Sequence, residues 1–344
     1  MVGEFDALTR PDLVGPLLAG ILGDEVWNRP DVRLIAGGKS NLTFELSCAA
    51  GSVVLRRPPS GHILRGAHDM GREARVQAAL AGTAVPVAGV LHISDENGPL
   101  GVPFYVMEKV DGYAIRDTLP AGYAADAAGR VAITDALVDT LADLHAVDPD
   151  PVGLGDYGRR TGFIGRQIRT WSRQFEATRT GPAPAMDELG RRLADHSFAE
   201  PARPSIVHGD YRLDNVLMDP ADPGRILAVL DWELSTLGDP LADLGTLLFY
   251  WTETGERSPL LIPAVTAEPG FPGRAYLTER YAHRSAADLS DLAAYVAYAH
   301  FKFAAIVQGV YARAVAGVMA GQDFGDLSGE AERLAAEALD QWKG

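Results

Sequence analysis

The segment Ile206-Val207-His208-Gly209-Asp210-Tyr211-Arg212-Leu213-Asp214-Asn215 sets a His-x-Asp, then an Asn five residues beyond the Asp. The apolar run Ala228-Val229-Leu230 leads into Asp231, sixteen residues after Asn215. Phosphoryl transfer to a hydroxyl needs a carboxylate beside the attacking oxygen and oxygen ligands for a magnesium ion that bridges nucleotide phosphates. An Asp/Asn pair on one tight loop, with a second Asp at the end of a neighbouring strand, supplies all three groups. Any one of these acids alone reads as an ordinary turn residue, because Asp and Asn are common in turns. The joint spacing, with apolar flanks on both sides, is what points to a phosphotransferase site.

The elements that must position these residues follow from periodicity. Short β-type runs cover Val32 to Ala36, Leu42 to Cys48 and Val53 to Arg57, and a helix runs from Asp69 to Leu80. Strands Val90 to Ser94 and Phe104 to Val110 follow, so the first third reads as a five-stranded antiparallel sheet with an internal helix. From Asp111 helices dominate, at Ala124 to His145, Gly165 to Thr178, Pro240 to Trp251, Ala275 to Tyr281, Leu289 to Val318 and Glu330 to Trp342. An extended stretch at Ser205 to Val207 and a strand at Ile226 to Leu230 interrupt them. Near the N-terminus, Thr9-Arg10-Pro11-Asp12 fits a helix start with Thr9 as N-cap, and Gly23 fits its end. Pieces 181–185 and 268–273 read as loops. The result is an α+β chain of two lobes, residues 1–110 and 111–344, flanking a cleft.

Composition narrows the partners. The chain has 344 residues, 47% hydrophobic and 22% charged, with a formal net charge of −15. Such a surface repels nucleic acid and anionic membrane. The single cysteine, Cys48, allows no intrachain disulfide and reads as a small core residue. The apolar segment from Leu292 to Ala320 is broken by Lys302, Gln308 and Arg313, so it reads as buried helix and not as a membrane span. With no basic start and apolar run at the N-terminus, the expected compartment is the cytoplasm.

The chain resembles the aminoglycoside phosphotransferase and choline kinase-like family, which shares its fold with protein kinases. The motifs Gly37-Gly38-x-Ser40-Asn41-x-Thr43, Leu55-Arg56-Arg57-Pro58-Pro59 and Leu230-Asp231-Trp232-Glu233 are similar to one branch, the kinase domains at the N-termini of long acyl-CoA dehydrogenases. The resemblance implies ATP and Mg2+ as cofactors. It makes Asp210 the catalytic carboxylate, Asn215 and Asp231 the magnesium ligands, and Arg212 a cation near the γ-phosphate. His208 reads as a packing member of the loop. The Gly37 to Asn41 loop, with Ser40 and Asn41, would cover the triphosphate. Arg56 stands where kinases carry a phosphate-binding lysine, Glu73 is its partner, and Lys39 or Arg57 is an alternative source of that charge. Met107, Glu108 and Val110 would border the adenine. Asp239 and Asp243 match acids that buttress the catalytic loop, Asp239 as cap of the helix from Pro240. Arg166, Arg169, Trp171 and Tyr311 are left as packing and surface residues.

The implied activity is transfer of phosphate to a hydroxyl of a small molecule. The branch suggests a hydroxyacyl-CoA or related hydroxy acid derivative, which is anionic and suits a basic acceptor wall. The broad family suggests an aminoglycoside, which is cationic and suits an acidic one. Replacement of the lysine by Arg56 opens a further reading, a nucleotide-binding pseudokinase that serves as an interaction module. The complete set of Asp210, Asn215 and Asp231 argues against it.

Overall fold

The computed structural model describes residues 5–36, 41–59, 69–317 and 324–343. The chain divides into two compact units, one of residues 1–112 with 227–235 and one of residues 113–226 with 236–344. Linear order hides the return of 227–235 to the first unit.

The first unit begins with α1 (Asp6–Thr9) and α2 (Pro11–Leu22). Thr9 does not cap α2. It ends α1, its hydroxyl bonds the Phe5 carbonyl, and the N-cap of α2 is Arg10 in a left-handed conformation. Pro11 opens α2 and left-handed Gly23 closes it, as the sequence suggests. Next come β1 (Asp31–Ala36), β2 (Leu42–Cys48), β3 (Gly51–Arg57), α3 (Met70–Leu80), β4 (Val90–Ser94) and β5 (Phe104–Glu108). The strands form one sheet in the order β1-β2-β3-β5-β4, antiparallel throughout. The two-residue period of a strand sorts its faces. Phe44, Leu46, Val53, Leu55, Phe104 and Val106 bury one face with Val14 and Leu18 of α2. Val54, Tyr105 and Met107 bury the other with Met70 and Ala74 of α3. Arg56, two residues from Val54, falls on the α3 side.

The second unit holds α4 (Ala127–Ala146), α5 (Phe163–Thr178), α6 (Pro184–Asp195), β6 (Ser205–Val207), β7 (Val216–Asp219), β8 (Asp222–Val229, its end in the first unit), β9 (Thr236–Gly238), α7 (Pro240–Tyr250), α8 (Arg274–Ser285), α9 (Leu292–Val315) and α10 (Glu330–Gln341). Helix α6 stands where the sequence suggests a loop over its first residues, with buried Met186, Leu189 and Leu193 at helical spacing and Pro184 starting it. α4 starts at Ala127 because the Asp126 carboxylate accepts the Gly129 amide. β6 pairs antiparallel with β9. Among the described residues, no helix is long and apolar enough to cross a membrane.

Candidate active site

The sequence-predicted residues fall into both units, and each set makes a cluster of its own. In the first unit, register aligns Thr43 with Arg56 and Arg56 with Tyr105 across three strands. Glu73 of α3 meets that row. Arg56 Nε lies 2.8 Å from Glu73 Oε2, its Nη2 lies 2.6 Å from Asp231 Oδ1, and its Nη1 donates to Thr43 Oγ1 at 3.2 Å. Asn41 Nδ2 donates to Glu73 Oε1 at 2.6 Å and to Glu233 Oε2 at 3.3 Å, and the Tyr105 hydroxyl lies 3.3 Å from Glu73 Oε2. Burial alone would lower the Arg56 pKa, but Glu73, Tyr105 and Asp231 outweigh it and hold the guanidinium more firmly charged than usual. Asp231 sits at φ +63°, the left-handed region an Asp tolerates better than most residues. Its side chain is 34% exposed.

Arg57 does not share this place. It alternates to the opposite side of β3 and spends its guanidinium on the carbonyls of Pro58 and Leu8. Lys39 and Ser40 lie outside the described residues. Met107 is buried, with its sulfur 3.3 Å from Gln77 Nε2. The Glu108 amide donates to the Gly89 carbonyl at 2.8 Å, and β5 ends there, so Lys109 and Val110 run on outside the ladder.

In the second unit, β6 delivers the chain to His208, Gly209 and Asp210. Asp243 of α7 accepts the amides of His208 at 2.6 Å and Gly209 at 2.8 Å, and its carboxylate also lies 3.3 Å from His145 Nε2. Gly209 has φ +85°, a turn that favours glycine. Its carbonyl accepts from Lys302 of α9. The Asp210 amide donates to His208 Nδ1 at 3.2 Å, so the buried imidazole packs within the loop and supports it. Asn215, in a short turn, donates Nδ2 to the Asp210 carbonyl at 2.8 Å and to Asp210 Oδ2 at 3.1 Å. The Tyr250 hydroxyl donates to Asp210 Oδ1 at 2.7 Å. Arg212 stands over the Tyr250 ring at 4.9 Å, with Nε 3.7 Å from Asp210 Oδ2 and Nη2 2.9 Å from Asp214. Desolvation would raise the Asp210 pKa, but Arg212, Lys302 and the Tyr250 hydrogen bond overcome it and hold the carboxyl below its ordinary range.

Asp239 caps α7 by accepting the Leu241 amide at 3.0 Å. Tyr250 and His145 were missed in the sequence. Lys302 was noticed only as a break in an apolar segment, and Trp171, left aside as packing, has its ring 5.8 Å from the Lys302 ammonium. A lysine amid Phe301, Phe303 and Ala304 was the signal. A small cavity beside Asp210's neighbours Arg212 and Tyr250 is lined also by Ile115, Arg116, Asp214, Trp251 and Ile262.

A five-stranded antiparallel sheet with an internal helix, followed by a mainly helical unit with a pinned Asp-bearing loop, is the protein-kinase-like fold. The profile of the phosphotransferase enzyme family matches residues 31–294, and the chain belongs to that family. Acyl-CoA dehydrogenase family member 11 of Gallus gallus is 36% identical over 317 residues, covering 90% of this chain and 40% of that protein. The chain thus spans about two-fifths of the length of that longer relative. A solved Ralstonia eutropha JMP134 structure, assigned to the aminoglycoside phosphotransferases, is 36% identical with a TM-score of 0.77, covering 91% of this chain and 92% of its own. Hygromycin-B 4-O-kinase of Escherichia coli is 24% identical over 256 residues, 71% of this chain and 69% of that enzyme.

Proposed function

We propose that this chain transfers the γ-phosphoryl group of ATP to a hydroxyl of a small molecule, with Asp210 orienting that hydroxyl and taking its proton late in the transfer. The observation that carries this reading is the Asp210 loop, whose backbone is held by Asp243, Lys302 and Asn215 while the carboxylate remains 24% exposed. Such fixed aim is how a phosphotransferase works, since its catalysis is mostly positioning and electrostatics. Arg212 is the cation for the transferring group. Arg56, held by Glu73, grips the phosphates together with Asn41 and Ser40, and Met107, Glu108 and Val110 border the base.

Magnesium would be held by Asn215 and Asp231. Asn215 commits its amide nitrogen to Asp210, which leaves its carbonyl oxygen as the ligand atom, and Asp231 offers a partly exposed carboxylate. Both are hard oxygen donors of the kind Mg2+ takes beside phosphates. The ion, when bound, neutralises charge developing on the phosphates.

For the acceptor, we read a hydroxyacyl-CoA or related hydroxy acid derivative. The 36% identity with acyl-CoA dehydrogenase family member 11 supports it, and exposed Arg116 near Asp214 gives this face a cation that suits an anionic acceptor. A polycationic aminoglycoside calls for the opposite charge. The test is γ-phosphate transfer from ATP to a panel of hydroxyacyl-CoAs and aminoglycosides by the parent and by Asp210→Asn. Transfer to an acyl acceptor that the variant loses is expected. Parent-level transfer by Asp210→Asn overturns the assignment, and nucleotide binding without transfer to any acceptor favours the pseudokinase.

A further inference from the structure

We propose that Lys302 is a positioning residue for phosphoryl transfer, pinning the Gly209 carbonyl so that the Gly209–Asp210 peptide cannot turn and Asp210 stays aimed. The inference rests on the reading of Asp210 given above.

Lys302 occupies a position where a lysine is expensive. It is 5% exposed, flanked in α9 by buried Phe301, Phe303 and Ala304. Burying an ammonium costs several kcal/mol unless it is well compensated, on the order of the penalty for any buried ion. For stability alone an apolar side chain of similar volume serves a buried site as well or better. What Lys302 does instead is donate to one backbone carbonyl, that of Gly209, with its charge near the face of the Trp171 ring. Burial lowers its pKa, while Asp210 and Asp243 act to keep it protonated and Arg212 acts against them.

The carbonyl it chooses is the one that most needs a partner. Gly209, at φ +85°, has the widest backbone freedom of any residue in the loop. Turning its peptide with Asp210 swings the carboxylate without breaking either hydrogen bond to Asp243, and on the other side of that peptide only the 3.2 Å bond from the Asp210 amide to His208 Nδ1 resists it. Asp243 holds the amides of His208 and Gly209, and Asn215 holds the Asp210 carbonyl. The Gly209 carbonyl lies between those anchors, and α9 supplies its partner. The two helices can approach because α7 carries Gly245 at the crossing. A Cβ there would lie 2.7 Å from the backbone carbonyl of Tyr295. Small at the crossing and charged at the loop, the pair sets Asp243 and Lys302 on the same short segment.

The experiment compares the parent with Lys302→Met and Lys302→Arg by steady-state kinetics, thermal melting and amide hydrogen exchange. We expect Lys302→Met to melt at or above the parent temperature yet lose about 10- to 100-fold in kcat, the scale of a small misplacement of a reacting group. KM for ATP should stay within about twofold, because the arginine cluster of the first unit is untouched. Exchange should quicken at the amides of Gly209 and Asp210, with the rest of α7 and α9 unchanged. Lys302→Arg, which keeps a charged donor, should recover most of the lost rate, and it carries the kinetic test if Lys302→Met does not fold. Parent-level kcat in Lys302→Met, no recovery in Lys302→Arg, or faster exchange spread evenly over α7 and α9 overturns the proposal. A parent without phosphotransferase activity is instead the failure of the function proposed above, and the exchange pattern still decides whether Lys302 pins the loop.

Discussion

The two polar clusters are built from the same kinds of residue and treat charge in opposite ways. In the first unit Arg56 touches two carboxylates at hydrogen-bond distance, Glu73 at 2.8 Å and Asp231 at 2.6 Å. In the second, the nearest guanidinium nitrogen stands 3.7 Å from Asp210, and the charged side chains of Asp243 and Lys302 are spent on backbone. The first arrangement cancels charge where it lies and so holds β3, α3 and Asp231 together. The second fixes a loop and leaves a carboxylate to act. The contrast gives the first cluster a stability role beside its proposed hold on the nucleotide, and the second a role in rate, and substitutions can separate them.

The largest expected effect is on rate. Asp210→Asn keeps the shape of the side chain and removes the proton acceptor, so kcat should fall by about 10²- to 10⁴-fold while the melting temperature holds. Arg56→Met is its counterpart. It strands Glu73, 2% exposed, without its cation, and removing one partner of a buried pair costs about 3 kcal/mol. Urea unfolding monitored by exchange in β3 and α3 should show that loss. Arg56→Lys should lose less, since one ammonium keeps the charge but cannot present two nitrogens to two carboxylates. If Arg56→Met unfolds at the parent urea concentration, the contrast is lost.

A pH series sharpens it, because α9 carries a buried titratable group that serves neither cluster. His300 is pushed down to about 4, mainly by burial, and its Nδ1 lies 2.9 Å from the Val296 carbonyl. The sign follows from linkage. Below its ordinary value near 6.5 the unfolded chain takes up a proton that the folded one refuses, so stability falls as pH drops from about 6.5 to 4. The loss attributable to this residue is about 3 kcal/mol. The measurement is the difference in unfolding free energy between the parent and His300→Phe at pH 7 and pH 4. A difference that does not change with pH would rule the mechanism out.

How much of this was legible depended on whether the signal was local. The sheet was legible from short apolar runs at Leu42 to Cys48 and Val53 to Arg57 bounded by Gly and polar turn residues, because strands buried on both faces read as continuous apolar stretches between turn signals. The loop from His208 to Asn215 was legible because its polar residues stand at short fixed spacing, and the bonds internal to it join residues at most five apart. Tyr250 and Lys302 reach that loop from 40 and 93 residues away, and nothing in their own segments says which loop they meet; Asp243, 34 residues from Gly209, was matched to it only through the family resemblance. Lys302 was the partial exception, since a cation in an apolar helix demands a partner even when the partner is unnamed. Helix α6 was hidden because Gly181 and Pro182 mark a loop and Pro184 beside them continues that signal, although there the proline opens a helix.

The smallest effects make the sharpest comparison, because each cluster contains one tyrosine whose hydroxyl meets its acid. Tyr250 donates to Asp210 Oδ1 at 2.7 Å, and the Tyr105 hydroxyl lies 3.3 Å from Glu73 Oε2. Each Tyr→Phe change removes one hydroxyl and leaves the ring, so Arg212 keeps its stack at 4.9 Å over residue 250. A hydrogen bond to a charged group contributes about 1.5 kcal/mol, which is roughly tenfold when it is expressed in a rate. Tyr250→Phe should therefore lower kcat about tenfold and change unfolding little. Tyr105→Phe should cost about 1 kcal/mol in unfolding, its longer bond being the weaker, with kcat near the parent value. Were the two variants to exchange these outcomes, or to share them equally, the division of stability and rate between the clusters would be wrong even if Asp210 and Arg56 each behaved as expected.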